Sequence, residues 1–281
     1  MDEKKMNNQP TIFHITHHKA GSRWVTAVLN SCAPNRFVSK IPRGYYYIKS
    51  PIKLGGVYPA VHLSKPDLEA LLGSNLWGNF WHKKHLLGKP LLHYPNSYIT
   101  NWYNFEKRQQ PYRKFIIIRD LRDTIVSGYF SFKISHALVT DNISKLRKTL
   151  NSLSQEEGLL YLMDEIVNRL GYHNFQLSWL KDEALFKYED LLADQYKVFE
   201  QIIDHCQINI DRKNLHEIIR ENSFESMTGG RQRGQEDITS HQRKGVAGEW
   251  KKHFSARVKE KFKQHFDDIL IKTGYEKDMN W

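Results

Sequence analysis

The sequence predicts a single α/β domain, a central parallel sheet flanked by helices. Short apolar runs, TIFHIT (11–16), RKFIIIRD (113–120) and ALFKY (184–188), alternate with longer stretches of helical period. Runs this apolar on both faces belong to parallel strands covered on both sides. Charge is the third observation. The 281 residues carry a net +11 at pH 7, so an anionic partner is expected. Nucleic acid, anionic lipid, acidic polysaccharide and phosphorylated cofactors all fit that charge. The basic residues are spread along the chain, which argues against a disordered nucleic-acid arm.

Taken in order, residues 1–10 (MDEKKMNNQP) are polar and lack an apolar h-region. They are expected to be a flexible N-terminal segment rather than a secretory signal, leaving 11–281 as the domain. TIFHIT is the first strand and RWVTAVLNSC (23–32) the helix after it. Residues 33–62, rich in Gly, Pro and Tyr, read as loop. GKPLLHYP (88–95) contains a short strand ending at His93. RKFIIIRD is the clearest strand, and DTIVSGYFSFKI (123–134) the helix that follows, with Asp123 as its N-cap. Leu159, Leu162, Met163, Ile166, Val167 and Leu170 fall on one helical face. After ALFKY, a further face is formed by Phe199, Ile202, Ile203 and Cys206. Residues 226–248 lose periodicity and read as a long loop. Val258, Phe262, Phe266, Ile269 and Leu270 mark a last helix, closed by Gly274. No apolar run is long enough to span a bilayer. Two cysteines make no disulfide framework and read as reduced thiols of a cytoplasmic protein.

Ligands of parallel sheets bind beyond the carboxyl ends of the strands. There, HHKAGSRWV (17–25) joins strand to helix, a turn whose exposed amides favour an anion. Gly21 allows close approach, Lys19 adds a charge, Ser22 a hydroxyl and Trp24 a flat face for a base. In IIIRDLRDTIVSGY, Arg119 leaves a strand end and Ser127 follows on the helix, a fork and a hydroxyl suited to a phosphate dianion. A surface pair of Arg119 with Asp123 is the plainer reading of that stretch. In HQRKGVAGEWKKHF (241–254), Arg243 and Lys244 beside Gly245 form a flexible anion clamp, or simply a solvated basic loop.

In this order the three segments resemble the sulfotransferases that use 3′-phosphoadenosine 5′-phosphosulfate (PAPS). KAGSRW is similar to the family's 5′-phosphosulfate loop, KSGTTW in its cytosolic form. RDLRDTIVSGY resembles the 3′-phosphate motif, and RKGVAGEWKKHF the C-terminal RKGxxGDWK segment. FKYED (186–190) and NSFESM (222–227) also resemble family segments. The resemblance covers about residues 11–275 and implies the family's P-loop-NTPase-like fold. It also implies roles. Lys19, Ala20, Gly21, Ser22 and Arg23 would form the 5′ loop, Lys19 touching the 5′-phosphate and the leaving oxygen. Arg119 and Ser127 would hold the 3′-phosphate, with Arg243, Lys244 and Gly245 closing over it. Trp24 and Phe224 would sandwich the adenine, and Tyr188 would bond its edge. The family's base is a strand-end His with a Pro two residues on; His93 in LLHYP fits, with His62 in AVHLSKP the runner-up. Ala20 and Arg23 replace small hydroxyl residues of the cytosolic loop, and His241 stands where a large apolar residue is common. The family's dimer motif is not recognisable in KKHFSARVKEKF, which argues against a dimer by that route.

The implied reaction is direct in-line transfer of a sulfuryl group to a hydroxyl or amine, leaving adenosine 3′,5′-bisphosphate (PAP). A His of ordinary pKa near ~6.5 suits the removal of the acceptor proton. No metal is required. His82 and His85 have helical spacing but no evident third ligand. A small-molecule, glycan or lipid acceptor is expected, with Tyr45, Tyr46, Tyr47, Trp77, Phe80, Trp81, Trp102 and Tyr103 on its wall and no nucleic acid partner. Two other classes stay open. A P-loop kinase needs a Ser or Thr directly after its Lys for Mg²⁺, which KAGS lacks. A catalytically degenerate nucleotide- or polyanion-binding module would also explain the charge.

Overall fold

The three apolar runs do become strands. The computed structural model describes residues 9–38, 53–62, 111–138, 141–165, 171–266 and 268–281. TIFHIT is β1 (Thr11–Thr16), buried at every residue. RKFIII lies in β3 (Tyr112–Ile118), and the shorter β4 (Leu185–Lys187) follows. β1 and β3 pair in parallel from Thr11 opposite Tyr112 to Thr16 opposite Ile117, and β3 and β4 from Ile116 opposite Leu185 to Ile118 opposite Lys187.

The fourth strand corrects the sequence reading. Val57–Val61 (VYPAV), placed by sequence in a loop, is β2, and it pairs in parallel with β1. The sheet order is β2-β1-β3-β4. Pro59 and the preceding glycines hid the strand. A proline has no N–H for a ladder, so it is tolerated at a sheet edge or a bulge. Here β2 is the edge among the described strands, and its register with β1 shifts between Phe13 and Ile15. The strand expected within GKPLLHYP lies outside the described residues.

Helices fill the connections. α1 (Ser22–Cys32) follows β1, and α2 (Leu121–Phe130) follows β3, continuing as a π-helical turn at Ser131–Ser135. α2 starts and ends earlier than its sequence pattern indicates. Its N-cap is Asp120, which accepts the Arg122 N–H at 2.9 Å, and not Asp123. α3 (Asp141–Ser152), α4 (Gln155–Glu165) and α5 (Tyr172–Ser178) precede β4. α6 (Tyr188–Ala193), α7 (Gln195–His205), α8 (Arg212–Glu221) and α9 (Phe224–Met227) follow it. After the long loop come α10 (Trp250–His253), α11 (Ala256–Phe266) and α12 (Ile269–Lys272). The single last helix expected from Val258 to Leu270 is thus two pieces.

Side-chain alternation along β3 divides the core. Phe115 and Ile117 pack with Val25, Val28, Phe199, Ile202, Ile203, Leu215 and Ile219 from α1, α7 and α8. Ile116 and Ile118 point to the other face and are equally buried. A second cluster joins α2, α4, α11 and α12 through Ile125, Leu159, Leu162, Met163, Phe262 and Leu270. The chain is one α/β domain, a parallel sheet flanked by helices. Among the described residues no helix is long and apolar enough to cross a membrane.

Candidate functional site

The turn from β1 to α1 is bent by two left-handed residues. Lys19 has φ 70° and Gly21 φ 79°. At Gly21 both backbone and packing exclude a side chain, because a Cβ there would stand 2.7 Å from the Tyr188 ring. Lys19 has a Cβ and bears the strain, which costs about 1 kcal/mol or more and gathers at functional loops. No side chain caps the first turn of α1 among the described residues, so its amides face the loop.

Below the loop lies a buried histidine that sequence reading passed over. His17 Nδ1 is 2.9 Å from the His18 carbonyl, which only accepts, so Nδ1 carries the proton. Nε2 then accepts from the Arg119 N–H at 3.3 Å and from Gln176 Nε2 at 3.0 Å. Gln176 also donates to the Arg119 carbonyl at 2.6 Å. Burial above all, then the charges of His62 and Arg119, pushes the His17 pKa down to about 3, against the raising pull of the His18 carbonyl. A neutral His17 therefore ties the end of β1 to the end of β3. No local signal reveals this, since Gln176 is 159 positions away.

Arg119 is the hub. Its guanidinium donates to the Lys19 carbonyl at 3.1 Å and to the Val246 carbonyl at 3.3 Å, and it stands 4.6 Å over the Tyr188 ring. The pair with Asp123 exists at 3.7 Å, but it is buried rather than on the surface. Arg119 Nε is buried with no hydrogen-bond partner among the described residues. Around Lys19 the cations converge. Burial first, then Arg119, Arg23 and Arg243, lowers its pKa from 10.5 to about 7. His241, the departure noted in the sequence, is half-buried there too. Burial, Lys19, Arg23 and His136 hold it down to about 3.

The long loop between α9 and α10 is folded around one side chain. Arg231 donates to the carbonyls of Gln235 (3.1 Å), Arg243 (3.0 Å) and Gln242 (2.6 Å) and to Ser240 Oγ (3.0 Å). Its far end is fixed by Asp123, which accepts the Gly248 N–H at 2.6 Å and the Trp250 N–H at 3.0 Å. Between them, Arg243 lies 3.3 Å and Lys244 2.9 Å from Glu249, and Arg243 also meets Glu236. Burial raises the Glu249 pKa, but Lys244 and Arg243 outweigh it and hold the carboxyl below its usual range. Gly245, at φ 67°, leaves no room for a Cβ, which would stand 2.6 Å from the Phe224 ring.

The aromatic pair lies at the same end of the sheet. Trp24 packs edge to face on Tyr188 and Phe199, with Arg233 5.4 Å over its ring. Arg231 stands 5.2 Å over Phe224. Ser127 is half-buried on α2. The structure thus gathers the 5′ loop, Arg119, Tyr188 and the clamp, and adds His17, Gln176, Asp123, Arg231 and Glu249. His93, His82 and His85 lie outside the described residues. The runner-up, His62, directly follows β2. Its Nδ1 is 2.6 Å from the Thr16 carbonyl and so carries the proton, leaving Nε2 as the basic nitrogen. Its ring lies 4.0 Å from that of His18 in the loop. Among the described residues no group of three His, Cys, Asp or Glu side chains is placed to hold a metal.

Cations gathered beyond the strand ends of an α/β fold make a site suited to a multiply charged anion. The chain belongs to the sulfotransferase family: the model of the sulfotransferase domain matches residues 102–274. Sulfotransferase 2A1 of Homo sapiens is 24% identical, over 96% of this chain and 87% of that protein. Sulfotransferase 1B1 of Canis lupus familiaris is 25% identical, over 96% and 83%. The crystal structure of mouse sulfotransferase SULT7A1 complexed with PAP shares the fold, with TM-score 0.55 and 15% identity over 94% of this chain and 84% of that one. Sulfuryl transfer is the chemistry of the family.

Proposed function

We propose that the chain moves a sulfuryl group from PAPS to an acceptor hydroxyl or amine by direct in-line transfer. One observation carries the donor assignment: the Arg119 guanidinium hydrogen-bonds both the Lys19 carbonyl and the Val246 carbonyl. Those two bonds bring the segments that resemble the 5′- and 3′-phosphate sites together, which supports reading them as one site. The residues suit a bisphosphate. Lys19, Arg23 and the α1 amides serve its 5′ end. Arg119, Ser127, Arg243, Lys244 and Gly245 serve its 3′ end. The buried Arg119 Nε still has a donor to give. Trp24 and Phe224 take the base, and Tyr188, wedged against Gly21, bounds it.

The donor supplies an activated sulfuryl group on a phosphate leaving group. Lys19 offsets the charge that builds on that phosphate, a matter of positioning and electrostatics. For the base we take His62, whose surroundings are described, while His93 lies outside the described residues. His62 follows a strand that sequence reading missed, beside β1, and its Nε2 has the lone pair a base requires. A small-molecule, glycan or lipid acceptor enters past it. The unpaired Cys32 and Cys206 suit a reducing, cytoplasmic setting.

The test is PAP release from PAPS over a panel of acceptors. His62→Ala is expected to lower turnover by about 100-fold or more, with PAP affinity unchanged and activity partly restored by free imidazole. His93→Ala should turn over as wild type. The reverse pattern would return the role to His93. PAP binding without turnover on any acceptor would favour the degenerate nucleotide-binding module.

A further inference from the structure

The segment 274–281 has no part in the site so far, yet it is tied to it at several points. Lys187 Nζ donates to the Gly274 carbonyl at 2.9 Å and stands 4.4 Å over the Tyr275 ring. The Tyr275 hydroxyl donates to Glu189 Oε2 at 2.8 Å, and Glu189 Oε1 accepts the Asp120 N–H at 3.1 Å. Glu276 Oε1 is 2.6 Å from Arg122 Nη1. The Trp281 ring lies 4.5 Å from the Arg122 guanidinium, edge to face on Trp250 at 5.4 Å and on Phe262 at 5.5 Å.

Arg122 is the centre of this arrangement and is 2% exposed. Asp120 holds it from one side at 2.7 and 3.0 Å, and the Trp250 face covers it at 3.8 Å. Arg122 and its neighbour Asp123 therefore hold one short segment twice. Asp123 takes the amides of Gly248 and Trp250, and Arg122 takes the Trp250 ring. Between those two residues sits Glu249, which holds Arg243 and Lys244. A guanidinium between two indoles and two carboxylates is fixed only while each wall is present. Removing the Trp281 indole opens one face of Arg122 to water and unloads one side of Trp250.

We propose that Trp281, acting through Arg122 and Trp250, positions the Arg243–Lys244 clamp on the 3′-phosphate. This rests on the donor reading above. The contacts of Trp281, Arg122 and Trp250 lead to Glu249 and so to the clamp rather than to the β1–α1 turn, so the effect belongs to the 3′ end of the nucleotide. Trp281 is a positioning residue and touches no reacting atom.

The experiment uses the full chain and calorimetry with PAP and with adenosine 5′-monophosphate, both without Mg²⁺. In Trp281→Ala the dissociation constant for PAP is expected to rise about tenfold, while that for the monophosphate stays within about twofold of wild type. KM for PAPS should rise with kcat nearly unchanged, and Trp281→Phe should restore both. Wild-type PAP affinity in Trp281→Ala, or parallel loss of both nucleotides, would overturn the proposal. Should Trp281→Ala fail to fold, Glu276→Gln removes only the ion pair with Arg122. A selective loss of PAP affinity there supports the proposal, and unchanged affinity overturns it. A wild-type protein with no preference for PAP over the monophosphate would instead remove the donor reading on which the proposal stands.

Discussion

Lys19 is held in a left-handed backbone conformation, and its ammonium is crowded by Arg119, Arg23 and Arg243. Burial first, then that crowding, brings its pKa to about 7. Above that pH the free protein holds Lys19 neutral, while a bound anion favours the charged form, so binding takes up a proton and weakens as pH rises. At pH 8 calorimetry in buffers of different ionisation enthalpy should show uptake approaching one proton per PAP, and at pH 5.5 none from this group. Lys19→Arg, charged throughout, should abolish the difference. Equal uptake at both pH values would contradict this. Lys19, Gly21, Arg119 and Arg243 were legible in the sequence because each sits in a short motif with its neighbours. His17 was not, because its acceptor nitrogen is defined by Gln176 and by an amide on another strand. Nor was the place of His62, which looked like a loop residue until β2 was seen to end at Val61.

At the scale of elements, strands made of consecutive apolar residues were readable and a proline-bearing one was not. The N-cap of α2 shows the same limit. Asp120 and Asp123 are both suitable by type, but Asp123 is engaged by Gly248 and Trp250, 125 and 127 positions away. The clamp loop was legible as a loop, while its fold around Arg231 was not. Arg231→Ala should lower PAP affinity by about tenfold, and tryptic cleavage within 228–249 should slow when PAP is added to wild type. Equal cleavage with and without PAP would argue against closure of this loop on the nucleotide. The second core depends on Phe262, fully buried in α11. Phe262→Ala should cost about 3–5 kcal/mol in urea unfolding, and a loss under about 1 kcal/mol would show that the helix packs otherwise.

For the molecule as a whole, the +11 charge is less informative than its distribution. Lys19, Arg119, Arg243 and Lys244 come from three distant parts of the chain to one end of a parallel sheet. Glu249, Glu236 and Asp123 hold the cations in place. Composition points to an anionic partner, and the order of the motifs along the chain points to the kind proposed here. The fold class was legible because apolar runs alternate with helical periods. The acceptor was not, because the aromatic residues expected on its wall, between Tyr45 and Tyr103, suit a ring, a sugar or a lipid equally and lie outside the described residues. One measurement decides most: calorimetric affinity for adenosine 3′,5′-bisphosphate beside adenosine 5′-monophosphate and ATP, without Mg²⁺. A preference for the bisphosphate of about 100-fold, largely lost in Arg119→Ala and Arg243→Ala, is the expected result. Equal affinity for all three nucleotides would contradict the assignment of one joined 5′ and 3′ phosphate site.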